Sequence, residues 1–338
     1  MSTAPITVLF RRDLRIDDNP AVASALEAAR AEGLPLRFVF HWDAKAEFAP
    51  GAASRWWGHH ALKELEEALG QKGFTLYYIE GSTDSVYDSL AKSSSRIFLN
   101  KTYEPDEEAF LAELGAKVSA HDGATLFAPA TTKIYKVFTP FYKYLLTLPL
   151  PKPVVPNWRK VSPAPAPKGA VTLEALELLP KIPWDAGFYR FWDLGRAKAF
   201  ARFKKRVEFD RIYKLGRDLV AEDATTRISP LIAWGQLGPR ELANLCAPQS
   251  TLLRQLIWRE FSLHTLYRCP WMARGKPIKE AFAKMPWQKD KKTLDAWKKG
   301  KTGYPLVDAA MRQLWQTGWM HNRARMVVGS FLVKRLLI

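Results

Sequence analysis

The densest run of chemically capable residues in the chain is Gly318-Trp319-Met320-His321-Asn322-Arg323-Ala324-Arg325-Met326. An imidazole, an amide and two guanidinium groups fall within about one helical turn, where the free N–H groups of a helix start already favour an anion. That is the composition of an oxyanion-binding platform. Arginines at a helix start also serve as surface ion pairs. Here, however, the polar groups sit between Trp319 and the apolar run Met326-Val327-Val328-Gly329-Ser330-Phe331-Leu332-Val333, where burial without a partner is costly. A second group, Thr225-Thr226-Arg227-Ile228-Ser229, offers hydroxyls, backbone N–H groups and a fixed positive charge to a phosphate. The same residue types cap helices more often than they bind ligands, so the pattern alone does not choose. A third, Gln255-Leu256-Ile257-Trp258-Arg259-Glu260-Phe261, puts an amide, an indole and a guanidinium on one segment. From pattern alone Trp258 is a core aromatic.

The elements that must position these groups follow from periodicity. Pro305 suits a first helical position, and Leu306, Ala309, Ala310, Gln313 and Leu314 recur with helical period until Gly318. A second helix follows, opening at His321 and expected to be buried on most sides, which would make the platform rigid. The first part of the chain alternates instead. Ile6-Thr7-Val8-Leu9-Phe10, Leu36-Arg37-Phe38-Val39-Phe40, Leu76-Tyr77-Tyr78-Ile79 and Arg96-Ile97-Phe98-Leu99 read as parallel strands. Between them, Asp18-Asn19-Pro20 starts a helix with Ala21, Val22, Ala25, Leu26 and Ala29 inward, and the segment from Trp56 to Leu69 gives another. This is an α/β domain with a doubly wound parallel sheet. The loop Arg11-Arg12-Asp13-Leu14-Arg15-Ile16-Asp17-Asp18 leaves the first strand where such folds present ligand loops, yet paired Arg and Asp in a short loop favour a structural ion-pair network over ligand contact. Neither a Gly-x-Gly-x-x-Gly run nor a Walker motif is present, because Asp295 stands where Gly300-Lys301-Thr302 would need its partner glycine. From Leu148 to Trp184 nine prolines, Pro149 through Pro183, imply an extended connector that wraps rather than folds. Beyond Asp185 helical patterns dominate. The expected organisation is 1–130 α/β, 131–184 connector and 185–338 all-helical.

Composition narrows the partners. The chain has 338 residues, 47% of them hydrophobic and 25% charged, enough for two domains. Residues 1–147 carry 16 Lys and Arg against 19 Asp and Glu, whereas residues 148–338 carry 35 against 15, so the parts differ in sign, −3 and +20. A cationic C-terminal part of that size implies a polyanion, with nucleic acid the obvious one. Thirteen tryptophans point to unusually large cores, to stacking or to electron transfer. Cys246 and Cys269 lie far apart, so neither a disulfide framework nor a zinc site is signalled. The N-terminus shows no basic and apolar leader pattern and no apolar run approaches a membrane span, so the expectation is a cytoplasmic protein without membrane contact.

Thr302-Gly303-Tyr304-Pro305-Leu306-Val307-Asp308-Ala309-Ala310-Met311-Arg312 with Trp319-Met320-His321-Asn322-Arg323 closely resembles the core of the photolyase/cryptochrome flavoprotein family, nearest its class I members. The resemblance extends to the Arg-rich loop after the first strand and to Asp210-Arg211-Ile212-Tyr213 through Ser229. It implies an FAD-binding helical domain behind the α/β domain. Tyr213, Thr225, Thr226, Arg227, Ile228, Ser229, Arg259, Asn322 and Arg325 would hold the cofactor. Gln255, Trp258, Asn322 and Met326 would face the substrate, with Trp258 stacked on a flipped-out pyrimidine. Arg217, Gln255, Trp258 and Arg323 would bind DNA, and Trp287 would be the outermost tryptophan of an electron-transfer chain. The implied activity is light-dependent splitting of cyclobutane pyrimidine dimers in UV-damaged DNA by an electron from excited reduced FAD, in a monomer. An antenna in the α/β domain would be a folate or a deazaflavin, and the sequence does not say which. Two departures matter. Gln255 stands where repair enzymes for cyclobutane dimers usually have Glu; Gln is the habit of cryptochromes and of photolyases for the other photoproduct, whereas His321-Asn322 matches the cyclobutane class. The chain also reaches Ile338 within an apolar helix, without a Gly, Asn or Pro to end it. It is expected to be cut off there, before the acidic residues beside the flavin and two further tryptophans. The alternatives are a cryptochrome-like blue-light photoreceptor and a flavin-free DNA-binding remnant.

Overall fold

The computed structural model describes residues 4–105 and 107–338; residues 1–3, read above for a leader, lie outside it. Five strands, β1 (Ile6–Phe10), β2 (Leu36–Trp42), β3 (Leu76–Glu80), β4 (Arg96–Asn100) and β5 (Val118–His121), form a parallel sheet in the order β5-β4-β1-β2-β3. A two-residue strand β6 (Ala170–Val171) closes the β3 edge antiparallel. The central strands β1 and β2 are buried along their whole length, as continuous apolar runs of a covered parallel sheet must be. Helices α1 (Pro20–Glu32), α2 (Ala52–Gly70), α3 (Thr83–Ser93) and α4 (Glu107–Glu113) connect them. In α1, Asn19 accepts the Val22 N–H at 3.2 Å, Pro20 sits at the first position, and Gly33 ends the helix at φ 65°, so Ala21, Val22, Ala25, Leu26 and Ala29 face the core as the pattern implies.

The stretch 131–184 is largely extended, but it is not merely a wrap. It contains α5 (Phe138–Leu145), contributes β6, and lays Pro163 beside Leu36. Beyond it, among the described residues, the chain is helical: α6 (Ala186–Phe191), α7 (Arg196–Glu208), α8 (Asp210–Gly216), α9 (Ser229–Ala233), α10 (Pro239–Leu245), α11 (Thr251–Arg268), α12 (Lys291–Lys298), α13 (Pro305–Thr317) and α14 (Asn322–Ser330). One apolar core runs from Ile6 to Ile257 and unites the sheet with α6 to α11, while α13 and α14 share a smaller cluster of Val307, Ala310, Met311, Met320, Ala324 and Val328. None of the described helices is long and apolar enough to cross a membrane.

The Arg-rich loop after β1 is the bracket between the two parts. Arg15 donates to the carbonyls of Asp18, Gly235 and Gly123 at 2.8–3.1 Å, and Asp18 accepts from Val154 N at 3.1 Å and Glu241 N at 3.2 Å. Gly235, at φ 71°, permits this approach, since a Cβ there would stand 2.2 Å from the Arg12 carbonyl oxygen. For Arg15 and Asp18 the role is structural, as expected, although Arg15 is held by backbone carbonyls and not by an ion pair.

In α13 the buried residues are Val307, Asp308, Ala310 and Met311, while Leu306 and Ala309 are exposed. The reason is Asp308, whose carboxylate accepts from Thr302 N (2.8 Å), Thr302 Oγ1 (2.6 Å) and Gly303 N (3.0 Å). That clamp turns its own face inward and rotates Leu306 out. The expectation that needs correction concerns α14, which is not buried on most sides. It packs on α13 through Ala324 and Val328, leaving Met326 57% and Val327 41% exposed.

Candidate active site

A cavity of about 580 Å³ opens between α8, α9, α11 and α14. Tyr213, Thr225, Thr226, Arg227, Ile228, Ser229, Arg259, Asn322 and Arg325 line it, so all nine residues expected at the cofactor meet in one place. With five residues, α9 is too short to supply much of a macrodipole. The attraction for an anion therefore falls on side chains. Arg227 lies against two neighbouring rings, 4.0 Å from the Phe191 centroid and 5.3 Å from that of Trp319, with Asp223 at 3.1 Å. Burial lowers its pKa and Asp223 opposes that shift, so the guanidinium stays charged. Its Nε and the Thr225 Oγ1 are buried without a hydrogen-bond partner. Orphaned donors of this kind are costly unless a ligand takes them up, and a phosphate does so. The residues present fit the diphosphate of a dinucleotide-sized cofactor. On the far wall Arg259 is anchored rather than free, donating from Nη1 to the Ala124 carbonyl at 2.5 Å.

A second cavity, of about 820 Å³, lies on the other side of α11 and α14. It gathers Arg217, Gln255, Trp258, Asn322, Arg323 and Met326 and adds Tyr142, Lys214 and Arg254, which the sequence reading did not single out. Asp218 organises the cations. Its Oδ1 accepts from Arg323 Nε and Nη2, both at 2.9 Å, and from Arg217 Nε at 3.1 Å. Burial alone would raise the Asp218 pKa, but these hydrogen bonds and charges outweigh it and hold the carboxyl below its usual range. Gln255 and Asn322 line both cavities and form the wall between them.

Other expected residues stand elsewhere. Trp287, 47% exposed, lies on the loop before α12 and lines neither cavity. Trp258 already carries a ring on one face, for Phe138 stacks on it at 3.5 Å and 5°. His321 is fully buried and caps α14, its Nδ1 accepting from Arg323 N at 3.1 Å, so it aims its neighbours instead of touching a ligand. Glu260 was missed as well. It is 1% exposed, and its Oε2 accepts from Leu126 N (2.8 Å) and Phe127 N (3.4 Å), pinning α11 to the loop after β5. Burial pushes its pKa up to about 7 against the pull of Arg259 and those N–H groups. The sequence holds one cue for Phe138 and Tyr142, a four-residue spacing that pairs them once α5 forms.

A third cavity, of about 300 Å³, sits at the carboxyl ends of β1 and β2, lined by Arg11, Arg12, His41, Asp43, Glu104 and Trp234 among others. Ligands of doubly wound sheets bind at such strand ends.

An α/β domain joined to a helical domain, with a cofactor-sized cavity walled off from a cationic one, is the architecture of a flavoprotein that works on nucleic acid. Residues 6–158 match the family described as DNA photolyase, and residues 252–338 match the FAD binding domain of DNA photolyase. The chain is 33% identical to the deoxyribodipyrimidine photo-lyase of Agrobacterium fabrum, over 100% of this chain and 74% of that protein. It is 29% identical to Cryptochrome-2 of Arabidopsis thaliana, over 98% of this chain and 60% of that one. Among solved structures it resembles a bacterial class III photolyase from Agrobacterium tumefaciens, with a TM-score of 0.88 and 33% identity over 100% of this chain and 74% of the other. It also resembles an archaeal photolyase from Sulfolobus tokodaii with two FAD molecules, with a TM-score of 0.82 and 26% identity over 98% and 75%. The chain belongs to the photolyase/cryptochrome family.

Proposed function

We propose that this protein is a light-dependent deoxyribodipyrimidine photo-lyase that uses FAD to split cyclobutane pyrimidine dimers in UV-damaged DNA. The observation that carries this reading is the shared wall: Gln255 and Asn322 separate a cavity with orphaned phosphate donors from a cationic cavity floored by Trp258. FAD, when bound in its reduced form, supplies a photoexcited electron to the substrate. Thr225, Thr226, Ser229 and Arg227 hold the phosphates, and Tyr213, Arg259 and Arg325 enclose the rest. Gln255 and Asn322 orient the extruded bases by their amides, while Arg217, Lys214 and Arg323 attract the DNA backbone. Extruding a damaged pair costs less than extruding an intact one, which favours the lesion. Ring splitting by electron gain and loss needs no proton from the wall, and the two amides there supply none. The feature that favours the cyclobutane lesion is the His321-Asn322 pair, against which Gln255 stands.

Reconstitution with FAD followed by illumination tests the reading. Dimers should disappear from irradiated DNA under blue light and persist in the dark; a flavin photocycle without dimer loss would instead support a cryptochrome-like photoreceptor, the reading that Gln255 favours. A colourless chain that binds DNA with a steep salt dependence would leave only nucleic-acid binding. The cavity at the ends of β1 and β2 is the candidate place for a folate or deazaflavin antenna. We further propose a cytoplasmic monomer, which size-exclusion chromatography and fractionation test.

A further inference from the structure

We infer that Phe138 is a positioning residue for the DNA-facing cavity, fixing the plane of Trp258 so that an extruded base extends a stack that already exists. This rests on the reading of that cavity as the base-receiving site. Phe138 opens α5 and is 5% exposed, whereas Trp258 on α11 is 43% exposed. Their rings lie face to face at 3.5 Å and 5°, and Phe261 meets both edge-on at 5.9 Å. A full face-to-face sandwich is not the arrangement that aromatic quadrupoles prefer. It is imposed here by two four-residue pairs that interleave: Phe138 and Tyr142 on α5 against Arg254 and Trp258 on α11. The Arg254 guanidinium stands 5.5 Å from the Phe138 ring and 4.9 Å from the Tyr142 ring, and a cation there offsets the ring–ring repulsion.

The consequence is directional. With one face covered by Phe138 and an edge closed by Phe261, Trp258 offers a base its remaining face, at an angle that rotation of the indole cannot change. A ring held in place loses no rotamer freedom when a base arrives, so stacking energy goes into binding.

Binding of duplex DNA with and without a single cyclobutane thymine dimer, using FAD-loaded protein, tests this. The wild type should prefer the damaged duplex and Trp258→Ala should lose the preference. Phe138→Leu, close in volume but without a ring, should lower it roughly fivefold while affinity for undamaged duplex and FAD retention stay unchanged. Phe138→Tyr should restore the preference. If Phe138→Leu does not fold, Phe138→Met fills the site without a ring and is read the same way. If Trp258→Ala loses the preference and the Leu or Met variant keeps it in full, the positioning role is overturned while the cavity reading stands. If the wild type shows no preference, that reading falls and the inference falls with it.

Discussion

Asp218 and Arg323 are joined by a two-pronged contact, both Nε and Nη2 of the arginine lying 2.9 Å from Oδ1. The same oxygen also accepts from Arg217 at 3.1 Å, so one carboxylate restrains two of the cations expected at DNA. Asp218→Asn should free both. Affinity for undamaged duplex should then rise, and the slope of log K against log salt should steepen by about 1 to 2, as expected for one or two added phosphate contacts. Titrations at several salt concentrations measure it. An unchanged slope would show that the arginines already reach the backbone despite the clamp.

The wall residues should behave differently from those on one side of it. Asn322→Ala and Gln255→Ala should each weaken both FAD retention and damaged-DNA preference, by about 1 kcal/mol or roughly fivefold per lost hydrogen bond. Arg325→Ala should affect FAD alone and Arg323→Ala DNA alone. Paired measurements of flavin release and DNA binding on the four variants separate these patterns. If all four fail together, the two cavities are not independent sites.

Arg227 depends on its shape as much as its charge. Lysine at this position keeps the charge but cannot spread a planar group against Phe191 and Trp319 or present a forked donor set. Arg227→Lys should therefore weaken FAD binding by about tenfold or more, against about twofold if a point charge were enough. Equilibrium dialysis with FAD decides between the two.

The Glu260 carboxyl has a pKa of about 7 in the folded chain against an ordinary value of 4.5. Between these values the unfolded chain has given up the proton and the folded chain has not. Stability from this group is therefore greatest at low pH, falls as pH rises through that window, and levels off above it. The change amounts to on the order of 3 kcal/mol. Urea unfolding from pH 4.5 to 8 should show wild type losing ground to Glu260→Gln by that order. A pH-independent gap between the two proteins would refute the assignment.

Much of the fold is legible locally. Asn19-Pro20 and Gly33 bound α1, and the apolar runs of β1 to β4 mark strands wherever both faces are covered. The short strands β5 and β6 carry too few apolar residues to stand out, and pair only because a sheet edge is already there. In α13 the recurrence of Leu306, Ala309, Ala310, Gln313 and Leu314 marks a helix but not its inner face, which the fold of Thr302 and Gly303 onto Asp308 sets. A pattern of residue types cannot contain that hydrogen-bond geometry.

The candidate site divides in the same way. Residue chemistry along the chain left Thr225, Arg227, Gln255, Trp258, Asn322 and Arg325 open between structural and ligand roles, and it was the family resemblance that marked them as a set. Which of them share a cavity was decided only when α8, α9, α11 and α14 packed together. That packing also paired Trp258 with Phe138, pinned Arg217 and Arg323 on Asp218, and left Trp287 outside. These are contacts between segments far apart in the chain, and their energies depend on distances of a few ångströms that only the folded core sets.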